Sequence, residues 1–155
     1  MGRWPMMRLA LVAGVAAVAV CVMPLHAESR PAKTGTAKPV IVRPVASATA
    51  TSSGQPIVLP QQDAQVVVSS YEIAPGAVLP VHKHPFPRYA YVQAGHIRVT
   101  NTDTGKSEDF KPGDFIVEAV GQWHFGANTG KDTVKLLVID MVEKGKANTV
   151  LRDAH

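Results

Sequence analysis

The sequence predicts an all-β fold, and three observations support this. Five segments rich in β-branched and aromatic residues follow one another from residue 64 onward: AQVVVSSYEI, RYAYVQ, HIRVTN, DFIVEA and TVKLLVIDMV. Turn signals separate them, namely APG, NTDTG, KPGD and NTG. No segment of comparable length repeats its apolar residues at helical spacing. Many short strands at this spacing predict a sandwich or a barrel.

The first 27 residues have the pattern of an export signal. Arg3 and Arg8 supply positive charge, the apolar run Leu9–Val22 follows, and Ala27 offers a small residue before a cut. We expect cleavage after Ala27, which makes residues 1–27 a signal peptide and places the mature protein in the periplasm or outside the cell. If left uncleaved, the segment would act as a membrane anchor, because its apolar run approaches the length of about 20 residues that spans a bilayer.

We expect residues 28–56 to form a disordered linker, because they are rich in Pro, Ala, Ser, Thr and Lys and have no sustained apolar period. The β pattern places the folded domain at residues 57–145 and leaves residues 146–155 as a C-terminal tail. The only cysteine, Cys21, lies in the expected signal peptide. The cleaved chain therefore has no disulfide and no thiol ligand.

The distribution of charge argues against a nucleic-acid partner. The formal net charge is +4, but residues 57–155 carry ten Lys and Arg against eleven Asp and Glu. Binding to phosphates needs a concentrated basic face, which a nearly neutral domain lacks. We therefore expect no nucleic-acid partner, and a membrane contact only if the signal peptide is not cleaved.

Two histidines stand one residue apart in the stretch VHKHPFPRYAYVQAG. Because side chains alternate between the faces of a strand, His82 and His84 project from the same face and can bind one ion together. A third histidine, His124, follows in GQWHFGAN. An isolated H-x-H pair is more often a polar strand face than a metal site, so the surrounding residues decide the interpretation.

The spacing of those residues resembles the first motif of the cupin family, G-x5-H-x-H-x(3 or 4)-E-x6-G. The four matching positions are Gly76, His82, His84 and Gly95. The fifth position, which is a glutamate in the family, is Arg88 here.

A second cupin motif, G-x5-P-x-G-x2-H-x3-N, follows in the expected order. Its matching positions are Gly113, Gly121, His124 and Asn128, and Ala119 stands in place of the proline. Eight of the ten fixed positions in the two motifs are therefore present. The resemblance implies a double-stranded β-helix, the jelly roll or cupin barrel, with a metal ion held near one mouth.

Arg88 changes what the resemblance implies for the metal. A guanidinium stays protonated and has no lone pair to give, so it cannot replace the glutamate as a ligand. Three interpretations remain open. The three histidines form a neutral site with positions left for water or substrate, or the metal has been lost, or another residue such as Tyr89 or Glu118 fills the vacancy.

The first interpretation is the preferred one, with His82, His84 and His124 as ligands of a divalent ion. Imidazole ligands suit Zn, Fe, Cu or Ni, and the sequence does not choose among them. We expect an exported single-domain cupin that oxidises or isomerises a small anionic organic molecule. The alternative is a non-catalytic periplasmic cupin that captures a metal or small ligand, because no catalytic residue stands out beyond the ligands.

Arg88 is the predicted substrate-binding residue, because a guanidinium can hold a carboxylate in a bidentate pair. The competing interpretation is an internal salt bridge, with Glu118 and Asp114 as candidate partners. Tyr89 and Tyr91 follow on the same strand, and the alternation turns them away from the histidines. We expect them to pack on the outer sheet or at a homodimer contact.

Overall fold

A computed structural model describes residues 39–153, and over this range the chain is all-β, as predicted. The expected signal peptide, the first part of the linker and the last two residues lie outside the described residues. Within the described range, no helix is long and apolar enough to cross a membrane.

Nine strands lie within the described residues. In chain order they are β1 (Ala64–Ile73), β2 (His82–Lys83), β3 (Arg88–Ala94), β4 (Ile97–Asn101), β5 (Ser107–Phe110), β6 (Phe115–Val117), β7 (His124–Asn128), β8 (Val134–Glu143) and β9 (Val150–Leu151). They form two sheets of antiparallel neighbours, in the orders β1-β8-β3-β6 and β5-β4-β7-β2-β9. These described strands do not join into one closed barrel.

The core lies on the inward faces of the sheets. Along β8 every second residue from Val134 to Val142 is buried, which is the alternation expected of a strand with one face inside. The buried apolar cluster consists of Ile73, Ala90, Val92, Ile97, Ile116, Val134, Leu136 and Val138. Arg88 and Asp140 lie on the same inward faces and are also buried. The polar site is therefore built into the interior.

Ordered structure extends past both predicted domain boundaries. Ahead of residue 57, the backbone N–H of Ser52 donates to the carbonyl of Val117 at 2.8 Å, and the side-chain amide of Gln55 donates to the carbonyl of Val120 at 2.8 Å. In the predicted tail, β9 pairs with β2 and Asn148 is buried. Both segments are short and polar, and hydrogen bonds hold them in place. Because they have no apolar period, their sequence does not indicate that they belong to the folded domain.

Strand β1 is an edge of its sheet and exposes apolar side chains. Val66, Val67 and Val68 are 56%, 38% and 57% exposed. Tyr89 and Tyr91 are half-buried and alternate with the buried residues of β3, as predicted. An edge strand with exposed apolar side chains is a surface on which another strand can pair. The homodimer stays a prediction.

Candidate metal centre

Three histidines from adjacent strands converge inside the domain. His82 on β2 lies directly opposite His124 on β7, and His84 is the residue directly after β2. The three ring centroids are 4.6 to 4.9 Å apart. All three residues are buried, at 7%, 0% and 3% exposure for His82, His84 and His124. The two motifs therefore supply one cluster, as their spacing predicts.

Backbone carbonyls fix the orientation of each ring. The acceptors for Nδ1 of His82, His84 and His124 are the carbonyls of Pro80, Asn148 and Gln122, at 2.7, 2.5 and 2.9 Å. A carbonyl oxygen can only accept, so each Nδ1 carries the hydrogen. In a neutral ring this leaves the lone pair on Nε2. Such bonds to the second ring nitrogen are how proteins orient histidines that bind metals.

Glu118 completes the cluster. It directly follows β6, and its Oε2 lies 3.0 Å from Nε2 of His84 and 3.1 Å from Nε2 of His124. One ligand atom from each histidine and from Glu118 lies within 4.8 Å of the other three. Tyr89, the other residue considered for the vacancy, instead stacks on Phe115 at 6.0 Å between ring centroids.

Glu118 and Arg88 are cross-strand neighbours. Strands β3 and β6 pair with Tyr89 opposite Val117, so the next step of the register brings Arg88 opposite Glu118. The backbone N–H of Glu118 donates to the carbonyl of Arg88 at 3.0 Å. Directly opposite residues in an antiparallel pair share one face. A carboxylate thus reaches the histidines from the strand next to the one that carries Arg88.

The contacts of Glu118 require a positive charge at the centre. Since each Nδ1 already holds a hydrogen, Nε2 can donate to the carboxylate only if the ring is a charged imidazolium. Burial alone raises the pKa of Glu118, but hydrogen bonds from His124 and His84 outweigh it and hold that pKa well below its usual range. Protons on the rings, or a cation between them, would satisfy this arrangement.

The pKa values of His124 and His82 shift in opposite directions. Burial alone lowers the pKa of His124, but its hydrogen bond to Glu118 leaves that pKa raised above the usual 6.5. Burial lowers the pKa of His82. With neutral rings the donor set is three imidazoles and one carboxylate, which fits a divalent transition metal or zinc.

Arg88 forms a buried ion pair with Asp140 on β8. Its Nε donates to Oδ1 at 2.7 Å and its Nη2 to Oδ2 at 2.9 Å, and the two side chains are only 7% and 9% exposed. Burial alone lowers the pKa of Arg88, but the pair with Asp140 raises it overall. An internal salt bridge is therefore present. The predicted partners Glu118 and Asp114 were wrong, because the strand register places Asp140 opposite Arg88.

The ion pair with Asp140 occupies the edge of the guanidinium that would bind the carboxylate of a substrate. Nε and Nη2 form the fork that binds two oxygens, and both already donate to Asp140. Nη1 lies 3.5 Å from Nε2 of His84. Substrate binding by Arg88 stays a prediction, and it would have to use Nη1 or displace Asp140.

Sequence reasoning missed Asp140 and Asn148. Asp140 is the lone charge at an inward position of the apolar segment VKLLVIDMV, and that signal could have identified it. Asn148 donates to Oδ1 of Asp140 at 2.6 Å and accepts the backbone N–H of Phe86 at 2.8 Å, while its carbonyl holds His84. It lies in the polar stretch KGKANT, where no pattern distinguishes it.

A small cavity of about 30 Å³ adjoins the cluster. Its lining includes His82, His124, Glu118 and Arg88, together with Tyr71 and apolar core residues. A water molecule occupies about 10–15 Å³ by this measure. The cavity of about 30 Å³ therefore has room for about two or three waters beside the candidate ligands and is too small for an organic molecule.

Comparison with known proteins identifies the domain. A family model described as cupin domain matches residues 69–140. Among solved structures, the polyketide cyclase RemF from Streptomyces resistomycificus is 25% identical over 60% of this chain and 65% of its own, with a TM-score of 0.49. Oxalate decarboxylase from Bacillus subtilis is 22% identical over 57% and 24%, with a TM-score of 0.50. The Cnp3 cupin domain of Schizosaccharomyces pombe is 19% identical over 56% and 69%, with a TM-score of 0.47.

A search of curated protein sequences found no significant match. The chain spans less than two thirds of the cyclase and about a quarter of the decarboxylase, at 65% and 24%. The likeness to the decarboxylase concerns the fold alone. Together with the family match, it confirms what the two histidine motifs predict: residues 69–140 form a cupin domain.

Proposed function

We propose that this protein binds one divalent metal ion through His82, His84, His124 and Glu118. The observation that carries the proposal is the convergence of four ligand atoms within 4.8 Å, three of them on rings oriented by backbone carbonyls. Glu118 supplies the anionic ligand that Arg88 cannot. The set suits Zn, Fe, Cu or Ni.

The proposed activity is the oxidation or isomerisation of a small organic molecule beside this centre. A bound ion would supply Lewis-acid or redox chemistry. The chain itself orients the ligands, places the positive Nη1 of Arg88 3.5 Å from His84, and lines the adjoining cavity with apolar side chains. Tyr71 lines the same cavity with its ring 5.8 Å from the Arg88 guanidinium carbon, which makes it a candidate proton donor.

Capture of a metal or small ligand without turnover is the second candidate function. The size of the cavity beside the ligands, about 30 Å³, favours it, because that volume holds water and excludes an organic substrate. The two functions share the metal site and differ in whether a bound organic molecule is converted to product.

Metal binding should weaken in acid and release protons. Protons and the metal compete for Nε2, and the raised pKa of His124 means that this competition begins above pH 6.5. Glu118 stays ionised well into acid because its pKa is lowered, so it adds nothing to the loss near neutrality. For each proton displaced, the apparent affinity for Zn²⁺ should fall about tenfold per pH unit below the pKa of His124.

Calorimetric titration of the metal-free protein with Zn²⁺ between about pH 6 and about pH 8, in buffers of different ionisation enthalpy, measures both quantities. His96→Ala is the matched control, since His96 is exposed and outside the cluster. Binding that does not depend on pH, or that survives His82→Ala combined with His124→Ala, would place the metal elsewhere.

We also propose that the domain acts after export, in the periplasm or outside the cell. The support is the charged, apolar and small-residue pattern of residues 1–27. The mature chain should then begin at Glu28. Intact-mass measurement of the protein expressed in its exporting host tests this, and a mass that retains residues 1–27 would indicate a membrane anchor.

A further inference from the structure

A larger cleft lies between the Thr51–Gln55 turn and the hairpin of β4 and β5. Its volume is about 370 Å³. Pockets that take small organic ligands have about 300–1,000 Å³. The cleft is therefore large enough for the organic molecule that the cavity at the histidines excludes.

The turn that forms one wall is held in place. Ser52 donates its backbone N–H to the carbonyl of Val117, the last residue of β6, at 2.8 Å. The side chain of Gln55 donates to the carbonyl of Val120 at 2.8 Å and accepts its N–H at 3.0 Å. These three hydrogen bonds hold the turn against the rest of the domain, so the cleft is formed before any ligand binds.

The opposite wall continues into the strand that carries His124. In the pairing of β4 with β7, Val99 lies opposite Gly126 and Asn101 lies opposite His124, so each pair faces the same side. Val99 lines both the cleft and the small cavity. Val99 therefore forms a wall common to the cleft and to the cavity at the candidate metal centre, and Asn101 is the strand partner of His124.

The lining of the cleft carries no net charge and combines apolar surface with polar groups. Lys106 and Glu108 contribute one charge of each sign, and Val99 and Phe110 contribute apolar surface. The residues that bear hydroxyl groups are Ser52, Ser53, Thr104 and Ser107. A site selective for anions needs an excess of positive charge, which this set of side chains does not provide.

We infer that this cleft binds an uncharged organic molecule that carries hydroxyl groups on an apolar frame, and presents it to the metal centre. The role of the ion rests on the proposed function, whereas binding of the ligand body does not. The inference replaces the anionic molecule expected from the sequence, because the cleft is charge-balanced and the Arg88 fork is bound to Asp140.

Resorcinol and benzoate test the chemical class. The first is a neutral ring with two hydroxyl groups placed too far apart to chelate, and the second is the same ring with a carboxylate. Titrated into the ¹⁵N-labelled full chain, resorcinol should shift the amide signals of Val99 and Phe110 in a saturable way. Benzoate should bind at least about tenfold more weakly, since its charge finds no uncompensated cation. Equal or tighter binding of benzoate, or no saturable shift with resorcinol, would overturn the inference.

Ser53→Trp tests the location, because Ser53 is exposed on the turn and a bulky ring there fills the cleft. This variant should weaken resorcinol binding at least about tenfold while Zn²⁺ affinity stays unchanged. Thr104→Trp, from the opposite wall, should do the same, and Ser47→Trp, exposed outside the cleft, should alter neither. Undiminished resorcinol binding in both cleft variants would place the ligand elsewhere.

Loading the protein with Mn²⁺ tests the connection to the centre. Bound resorcinol should then show enhanced proton relaxation that disappears in Ser53→Trp. If the proton relaxation of bound resorcinol does not change when the metal site is fully occupied by Mn²⁺, the ligand does not lie near the ion. That result would overturn the inference that the cleft presents its ligand to the metal centre. Failure of the wild-type chain to bind any divalent metal would instead contradict the proposed function, while saturable resorcinol shifts would still support the cleft.

Discussion

Replacing Glu118 with glutamine is expected to weaken binding of a divalent metal by at least about 100-fold. Loss of a residue that merely orients a ligand typically lowers metal affinity about 10–100-fold, and Glu118 is proposed as a ligand itself. Glutamine keeps the size of the side chain and removes the charge that contacts both His84 and His124. Chelator competition with Zn²⁺ at neutral pH measures the change.

Glu72→Gln is the control for the loss of one carboxylate, because Glu72 lies on β1 with its side chain 63% exposed and paired to Lys135. It should leave Zn²⁺ affinity unchanged. Equal affinity in wild type and Glu118→Gln would favour the neutral three-histidine site that the sequence first indicates. The experiment therefore separates the two coordination schemes directly.

The same substitution should change how the metal-free protein responds to pH. The lowered pKa of Glu118 means that its carboxylate stabilises the fold above the ordinary pKa of 4.5 and that this is lost as pH falls. The raised pKa of His124 means that its charged form stabilises the fold below pH 6.5 and that this is lost as pH rises through the raised pKa. Thermal unfolding without metal should show a maximum between these limits, and Glu118→Gln should flatten it.

Arg88→Gln is expected to lower the free energy of unfolding by about 3–5 kcal/mol, because it strands the buried carboxylate of Asp140. The chain offers a matched control in Arg98, which binds Asp109 through the same two donors at 2.8 and 2.6 Å. That pair also joins directly opposite residues, but its side chains are 50% and 60% exposed. Arg98→Gln should therefore destabilise the fold much less than Arg88→Gln, because solvent screens an exposed pair.

Urea denaturation of the two variants at equal m-value measures the difference. A double variant, Arg88→Met with Asp140→Leu, removes both buried charges and should recover part of the loss. The recovery should be incomplete, because the side-chain amide of Asn148 loses its acceptor on Asp140. If Arg88→Gln costs no more than Arg98→Gln and instead abolishes binding of carboxylates, Arg88 has the substrate role that the sequence indicates.

Much of the fold could be predicted because its long strands carry their own pattern. The five segments predicted as strands correspond to β1, β3, β4, β6 and β8, each within two residues at either end. Strands β2 and β9 contain two residues each and exist only because they pair with β7 and with each other. Nothing local in the sequence marks a strand of that length.

The candidate site likewise contains some residues that the sequence could predict and others that it could not. His82, His84 and His124 lie in motifs of fixed spacing, so the sequence brings them together without a structure. Glu118 and Asp140 act through strand register, since β6 and β8 place them opposite or beside Arg88. Which carboxylate approaches the histidines and which one neutralises the arginine is a property of pairings between distant segments. The sequence could name Glu118 as a candidate for both roles but could not choose between them.

The most direct test of the metal centre is anomalous diffraction from a crystal of the full-length protein grown with Zn²⁺. The proposed coordination predicts one strong peak at about 2.0–2.2 Å from Nε2 of His82, His84 and His124 and from a carboxylate oxygen of Glu118. Its control is the same measurement on Glu118→Gln at equal Zn²⁺ concentration, where the peak should weaken or vanish. A peak bound by the histidines alone, with the Glu118 carboxylate turned away, would contradict the four-ligand site, and no peak among these residues would contradict metal binding there.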